Sequence, residues 1–186
     1  MYLDFRQISF GPLLESLRVS GTGLASLTGI GRATKLRRLH ATDNMLNGTL
    51  PSELFGLSEL RSLYLSFNSI GGSIPPDISK LTNLQEVYIY GNMLQGSLPT
   101  EIGLLANLRE LVLSRNHLTG TIPSEVSSLI SLEQLSLYDQ QGGGRITGKL
   151  PTFADAVNLW YVQQLVSTCS TLQIIEFLNV VKCQVL

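Results

Sequence analysis

The strongest constraint on this chain is a repeat of fixed length. Leu36, Leu60, Leu84 and Leu108 each open a copy, and the step is 24 residues every time. The copies read LRRLHATDNMLNGTLPSELFGLSE, LRSLYLSFNSIGGSIPPDISKLTN, LQEVYIYGNMLQGSLPTEIGLLAN and LRELVLSRNHLTGTIPSEVSSLIS. A period of roughly 20–29 residues with recurring Leu and Asn marks a stacked array, whose units bury their apolar faces only against one another. A shorter copy opens at Leu14, with Leu14, Leu17, Val19 and Leu24 in the repeat positions. It runs 22 residues to the next copy and carries Thr22 where the others have Asn. A further copy opens at Leu132, places Gln140 in the Asn position and inserts Gln141–Arg145 before Ile146. The expected array therefore covers residues 14–158, with copies starting at 14, 36, 60, 84, 108 and 132. Residues 1–13 read as a partial or degenerate turn, and 159–186 as a divergent closing turn, a cap or a truncated tail.

Within a copy the residue types dictate local structure. Stretches such as Leu63-Tyr64-Leu65 and Val87-Tyr88-Ile89 alternate as strands do, and successive strands must pair in parallel because every copy returns to the same start. Asn44, Asn68, Asn92 and Asn116 recur inside this apolar pattern. An amide satisfies backbone groups with both of its ends, so the expected role of this ladder is structural. The segment that follows holds Gly48, Gly72, Gly96 and Gly120, suited to a tight or positive-φ bend, and then Pro51, Pro75, Pro99 and Pro123. Glu53, Asp77, Glu101 and Glu125 stand two residues further on, ahead of apolar pairs at helical spacing such as Leu54/Leu57 and Ile78/Leu81. The expected fold is an α/β solenoid, a parallel sheet on one side and short α or 3₁₀ helices on the other.

Bulk properties exclude several functions. The 13 Lys and Arg against 14 Asp and Glu give no electrostatic reason to bind nucleic acid or an anionic membrane. Cys169 and Cys183 are too few for a disulfide framework, and their state is open. The start, MYLDFRQISF, is not a secretory signal, and no apolar run is long enough to span a membrane. Gly143 to Lys149 matches the opening of a phosphate-binding loop, but Leu150 stands where Ser or Thr would hold magnesium. His40 and His117 lie in different columns, are expected at the surface, and have no Cys in register. Glu86 and Glu110 are stacked neighbours, expected as a solvated face. No catalytic residue, metal site or cofactor is expected.

The pattern Leu-x-x-Leu-x-Leu-x-x-Asn-x-Leu followed by Leu-x-Gly-x-Ile-Pro resembles leucine-rich-repeat proteins of the plant-type subclass. That group includes ectodomains of receptor-like kinases and receptor-like proteins, and polygalacturonase inhibitors. The resemblance implies a right-handed superhelix with its parallel sheet on the concave side. It also implies non-enzymatic recognition of a protein, peptide or glycan through that side, as part of a receptor-like signalling protein. An extracellular or cell-surface location is implied in the same way. The alternative is inhibition of a secreted glycosidase, although the copies are few and the cysteine-rich caps of that group are missing.

Strand alternation puts His40, Tyr64, Tyr88, Val112 and Ser136 in one outward column and Thr42, Ser66, Tyr90, Ser114 and Tyr138 in the next. Asp43, Phe67, Gly91, Arg115 and Asp139 form a third. The expected binding residues are His40, Tyr64, Phe67, Tyr88, Tyr90, Arg115 and Tyr138, because Tyr combines large apolar area with a hydroxyl. Asn47-Gly48-Thr49 is a glycosylation sequon, expected in an exposed bend. The apolar tail, Leu159 to Leu186, would allow association between copies.

Overall fold

The computed structural model describes Phe5, Phe10, Gly11, residues 13–142 and 145–147, and the backbone of 161–163. Each of the six copies contributes one strand to a parallel sheet, and the segment after them adds a seventh: β1 (Ser16–Arg18), β2 (Arg38–His40), β4 (Ser62–Tyr64), β6 (Glu86–Tyr88), β8 (Glu110–Val112), β11 (Gln134–Ser136) and β13 (Tyr161–Gln163). Their spatial order follows chain order, with no crossing. The register is equally regular, since Leu17 pairs Leu39, Leu39 pairs Leu63, Leu63 pairs Val87, Val87 pairs Leu111 and Leu111 pairs Leu135. A shift by one residue would turn this leucine column to solvent, so burial itself holds the register.

The Gly-containing segment is more than the expected bend. It forms a second set of strands: β3 (Asn47–Thr49), β5 (Ser69–Gly72), β7 (Met93–Gly96) and β9 (His117–Leu118) in one sheet, and β10 (Gly120–Thr121) with β12 (Ile146–Thr147) in another. Asn47 is thus the first residue of a strand. Positive φ at Gly48 (73°), Gly72 (72°), Gly96 (76°) and Gly120 (81°) turns the chain at the same place in each copy. The residues leading into each glycine are left extended and pair with those of an adjacent copy.

Beyond each of Pro51, Pro75, Pro99 and Pro123 the chain makes one short 3₁₀ helix and no α-helix: Ser52–Gly56, Pro76–Lys80, Thr100–Leu104 and Ser124–Ser128. Pro51, Pro75, Pro99 and Pro123 sit at the N-cap with extended backbone, one position before the helix. Five residues give too few backbone bonds to sustain an α-helix, whose nucleation is costly. Packing fixes these turns instead. Leu54, Leu57, Ile78, Leu81, Ile102, Leu105, Val126 and Leu129 are all buried in one continuous core. Gly103 shows how closely adjacent turns approach, because a Cβ there would lie 2.3 Å from the Glu125 carbonyl oxygen.

The Asn ladder seals the line between the two sheets. Asn68 Nδ2 donates to the carbonyls of Ala41 and Leu65, both at 3.0 Å, and its Oδ1 accepts from the Leu46 N–H at 3.0 Å. Asn92 and Asn116 repeat the pattern one and two copies on. Gln140 does the same work with a longer arm: Oε1 accepts from Leu118 N–H at 2.9 Å and Nε2 donates to Leu137 O at 3.0 Å. Thr22 has no amide. Its hydroxyl donates to the Val19 carbonyl at 2.7 Å, the place each ladder Asn bonds within its own copy, and its N–H donates to Asn44 Oδ1 at 3.0 Å. Of the loop resembling a phosphate site, Arg145, Ile146 and Thr147 fall within the described residues. Ile146 is buried and pairs Gly120, as the repeat requires.

Candidate ligand-recognition face

Residues 39, 63, 87, 111 and 135 of the main sheet point into the core, so their neighbours point out. Parallel strands in register lie about 4.8 Å apart, which is also a stacking distance for rings. The column that begins at His40 uses this coincidence. The His40 and Tyr64 rings stack at 4.4 Å with planes 12° apart, and Tyr64 and Tyr88 stack at 5.0 Å and 16°. The stack ends at Val112 and Ser136, which are small and buried.

Each phenol also reaches one strand across. Tyr64 donates its hydroxyl to Glu86 Oε2, and Tyr88 donates to Glu110 Oε2. Burial, followed by the hydrogen-bonded carboxylate, pushes both phenols well above the usual tyrosine range. Burial, followed by the cations Arg18 and Arg38, holds His40 below its ordinary value. Glu86 and Glu110 pair in register and are half-buried. The expected solvated face is therefore a phenol–carboxylate ladder. Among the described residues neither carboxylate has a salt bridge.

A second cluster lies along the rim. Asp43, Phe67, Arg115 and Asp139 have φ of 57°, 55°, 51° and 55°, and Gly91 has 67°. This turn immediately precedes the ladder Asn and aims the side chain before it toward solvent. A large residue in that conformation is unusual. Phe67 is 52% exposed and lies edge-on against Tyr90, with centroids 4.9 Å apart and planes at 89°. A Cβ on Gly91 would stand 3.2 Å from the Phe67 ring, so glycine leaves that ring its place. The Arg115 guanidinium sits 5.5 Å from the Tyr90 centroid and its Nε lies 3.0 Å from Asp139 Oδ2.

The structure brings His40, Tyr64 and Tyr88 into one group and Phe67, Tyr90 and Arg115 into another. Tyr138 is half-buried and its ring joins neither; its N–H donates to Ser114 Oγ at 3.1 Å. Glu86, Glu110 and Gly91 were absent from the expected set. The spacing between Tyr64 and Glu86, repeated between Tyr88 and Glu110, is the one signal that could have found the carboxylates: one period less two residues, a diagonal on the sheet. Both histidines are half-buried rather than at the open surface, and His117 Nδ1 is buried without a hydrogen-bond partner. Among the described residues no group of three His, Cys, Asp or Glu side chains is placed to hold a metal.

Family models described as Leucine Rich repeats (2 copies) and Leucine Rich Repeat match residues 58–99, and 35–57 with 107–129, respectively. A solved complex of BIR3 with SERK2 from Arabidopsis thaliana is 30% identical over 76% of this chain and 76% of that one, with a TM-score of 0.64. The chain belongs to the leucine-rich-repeat family. Its leucine-rich repeats are of the plant type and resemble receptor ectodomains. The TDR receptor structure is 33% identical over 81% of this chain, with a TM-score of 0.75. The plant peptide hormone receptor RGFR1, solved in complex with RGF2, is 28% identical over 80%, with a TM-score of 0.70. This chain spans about a quarter of those two, 26% and 27% of their lengths. No curated protein matches it. Among the described residues no helix is long and apolar enough to cross a membrane.

Proposed function

We infer that this leucine-rich-repeat module recognises a protein or peptide through its concave sheet, as the extracellular binding part of a larger receptor-like protein. The observation that carries this reading is the aromatic surface on neighbouring strands, the His40–Tyr64–Tyr88 stack beside the Phe67–Tyr90–Arg115 cluster. Stacked rings held by hydroxyl–carboxylate bonds have already lost their rotamer freedom, so a ligand that covers them meets a smaller ordering cost. Aromatic and Arg side chains are also the types that concentrate binding energy. The likeness to RGFR1, solved with RGF2, supports a peptide or protein ligand. Binding is non-covalent and needs no cofactor.

A phage-displayed library of random peptides, selected on the folded chain, tests the reading. Enriched peptides are expected to lose at least about 30-fold in affinity when Tyr88→Ala and Tyr90→Ala are combined, the equivalent of about 2 kcal/mol at a binding hot spot. The circular dichroism spectrum is expected to stay unchanged. Peptides that bind this folded double variant as tightly as the parent would overturn the assignment of the face.

A further inference from the structure

The main sheet and the second sheet do not begin at the same copy. The first copy supplies β1 to the main sheet but no partner for β3. Its chain, two residues shorter than the rest, runs past as Leu24 to Thr28 without forming a strand. The Met45 N–H still reaches Leu24 O at 3.0 Å, and beyond that contact the two segments separate. Between them lies a cavity of about 230 Å³. Ser26, Leu27 and Thr28 line one wall, and Asn47, Thr49 and Pro51 line part of the other. Among the described residues β3 is therefore an edge strand, and its three residues are all exposed. Edge strands carry unpaired N–H and C=O groups and are ordinarily blunted by charge, Pro, a bulge or a cover. β3 has no charge and no Pro. It has instead Asn47-Gly48-Thr49, an acceptor sequence for an N-linked glycan.

We propose that Asn47 carries an N-linked glycan whose first sugars lie over this gap and cover the open edge of the second sheet. Transfer joins Asn47 Nδ2 to the anomeric carbon of the sugar, with a lipid-linked diphosphate as leaving group and loss of one amide proton. The acceptor is accessible, and the Asn47 side chain holds only a single local bond, from Nδ2 to Met45 O at 3.2 Å. The wall chemistry suits a sugar. The Ser26 and Thr28 hydroxyls bond each other at 2.8 Å, and with Thr49 they make the polar part of a lining whose apolar part is Leu27, Leu50 and Pro51. β5 and β7, by contrast, are each paired on both sides. This proposal rests on the extracellular part of the function proposed above.

The test is expression in a eukaryotic host behind a heterologous secretory leader. That leader makes the result independent of where the natural protein resides and of any ligand. Mass spectrometry of the Asn47 peptide is expected to show a glycan in the parent and in Thr49→Ser, and none in Asn47→Gln. Peptide N-glycosidase then removes the glycan from the already folded protein, so a failure of Asn47→Gln to fold does not blunt the test. Amide hydrogen exchange is expected to rise several-fold in segments 24–28 and 45–50 and to stay unchanged in 84–92. An unoccupied Asn47 overturns the proposal. So does a glycan whose removal leaves exchange at 24–28 and 45–50 as it was.

Discussion

The two halves of the concave sheet share one backbone and present different surfaces. On β2, β4 and β6 the outward column is His40, Tyr64 and Tyr88, half-exposed and stacked. On β8 and β11 the same column is Val112 and Ser136, and Ser136 is only 2% exposed. In the neighbouring column Ser114 is buried, and its Oγ lies 2.9 Å from Ser136 Oγ. Strand spacing and register do not change between the halves. The difference is therefore one of side chains on a constant frame. The first half exposes ring area; the second covers its own outward side chains.

The largest effect that would sharpen this contrast lies beneath it, in the Asn ladder. Asn116→Ala leaves the Leu94 N–H unpaired where no solvent reaches, and it takes one of two donors from each of the Ile89 and Leu113 carbonyls, which keep Asn92 and Gln140. The expected loss is about 2–4 kcal/mol in urea unfolding, since the one buried unpaired group costs about 1–3 kcal/mol and each of the two lost carbonyl bonds adds about 0.5–1.5 kcal/mol. Asn44→Ala, at the half-exposed beginning of the same ladder, is expected to cost about 1–2 kcal/mol because water replaces part of what is lost. Equal losses at the two positions would mean that the halves are equally sealed.

A smaller effect tests whether the second half has room for a longer stack. Ser136→Tyr inserts a ring at a buried position and removes the bond to Ser114. Overpacking of this kind costs about 1–3 kcal/mol. A stability equal to the parent's would show that the ring simply extends the column.

The smallest effect concerns pH. Burial and nearby cations lower His40 in the folded chain, so the unfolded chain takes up the proton first as pH falls. Stability is full above the unfolded value of about 6.5 and declines as pH falls through it toward the lower folded value. Below that folded value this contribution is flat. Urea midpoints measured between about pH 8 and pH 5 are expected to fall less steeply in His40→Gln than in the parent. An unaltered slope would remove His40 from the coupled column.

Much of the frame was legible because it is periodic. A leucine in phase in each copy must be buried by its neighbours, and an Asn in phase inside an apolar stack must serve the backbone. Gln140 could be placed in that ladder without knowing that its amide reaches the same carbonyls. The second sheet was not legible, because Asn47–Thr49 and its counterparts carry no alternation that distinguishes strand from bend. The reach of the tyrosines was also hidden. Register puts Tyr64 opposite Tyr88, but a phenol that crosses to Glu86 depends on a side-chain rotamer, which periodicity does not set.

The sequence by itself determined a stacked parallel array and the leucine column that faces its core, since burial at a fixed period leaves one arrangement. Tertiary structure alone decided how the outward residues group. It placed Phe67 on Tyr90 through a positive φ and a missing Cβ at Gly91, and tied Tyr64 and Tyr88 to their carboxylates. It also left β3 without an outer partner. Each of these depends on contacts between copies, and such contacts exist only once the copies have stacked.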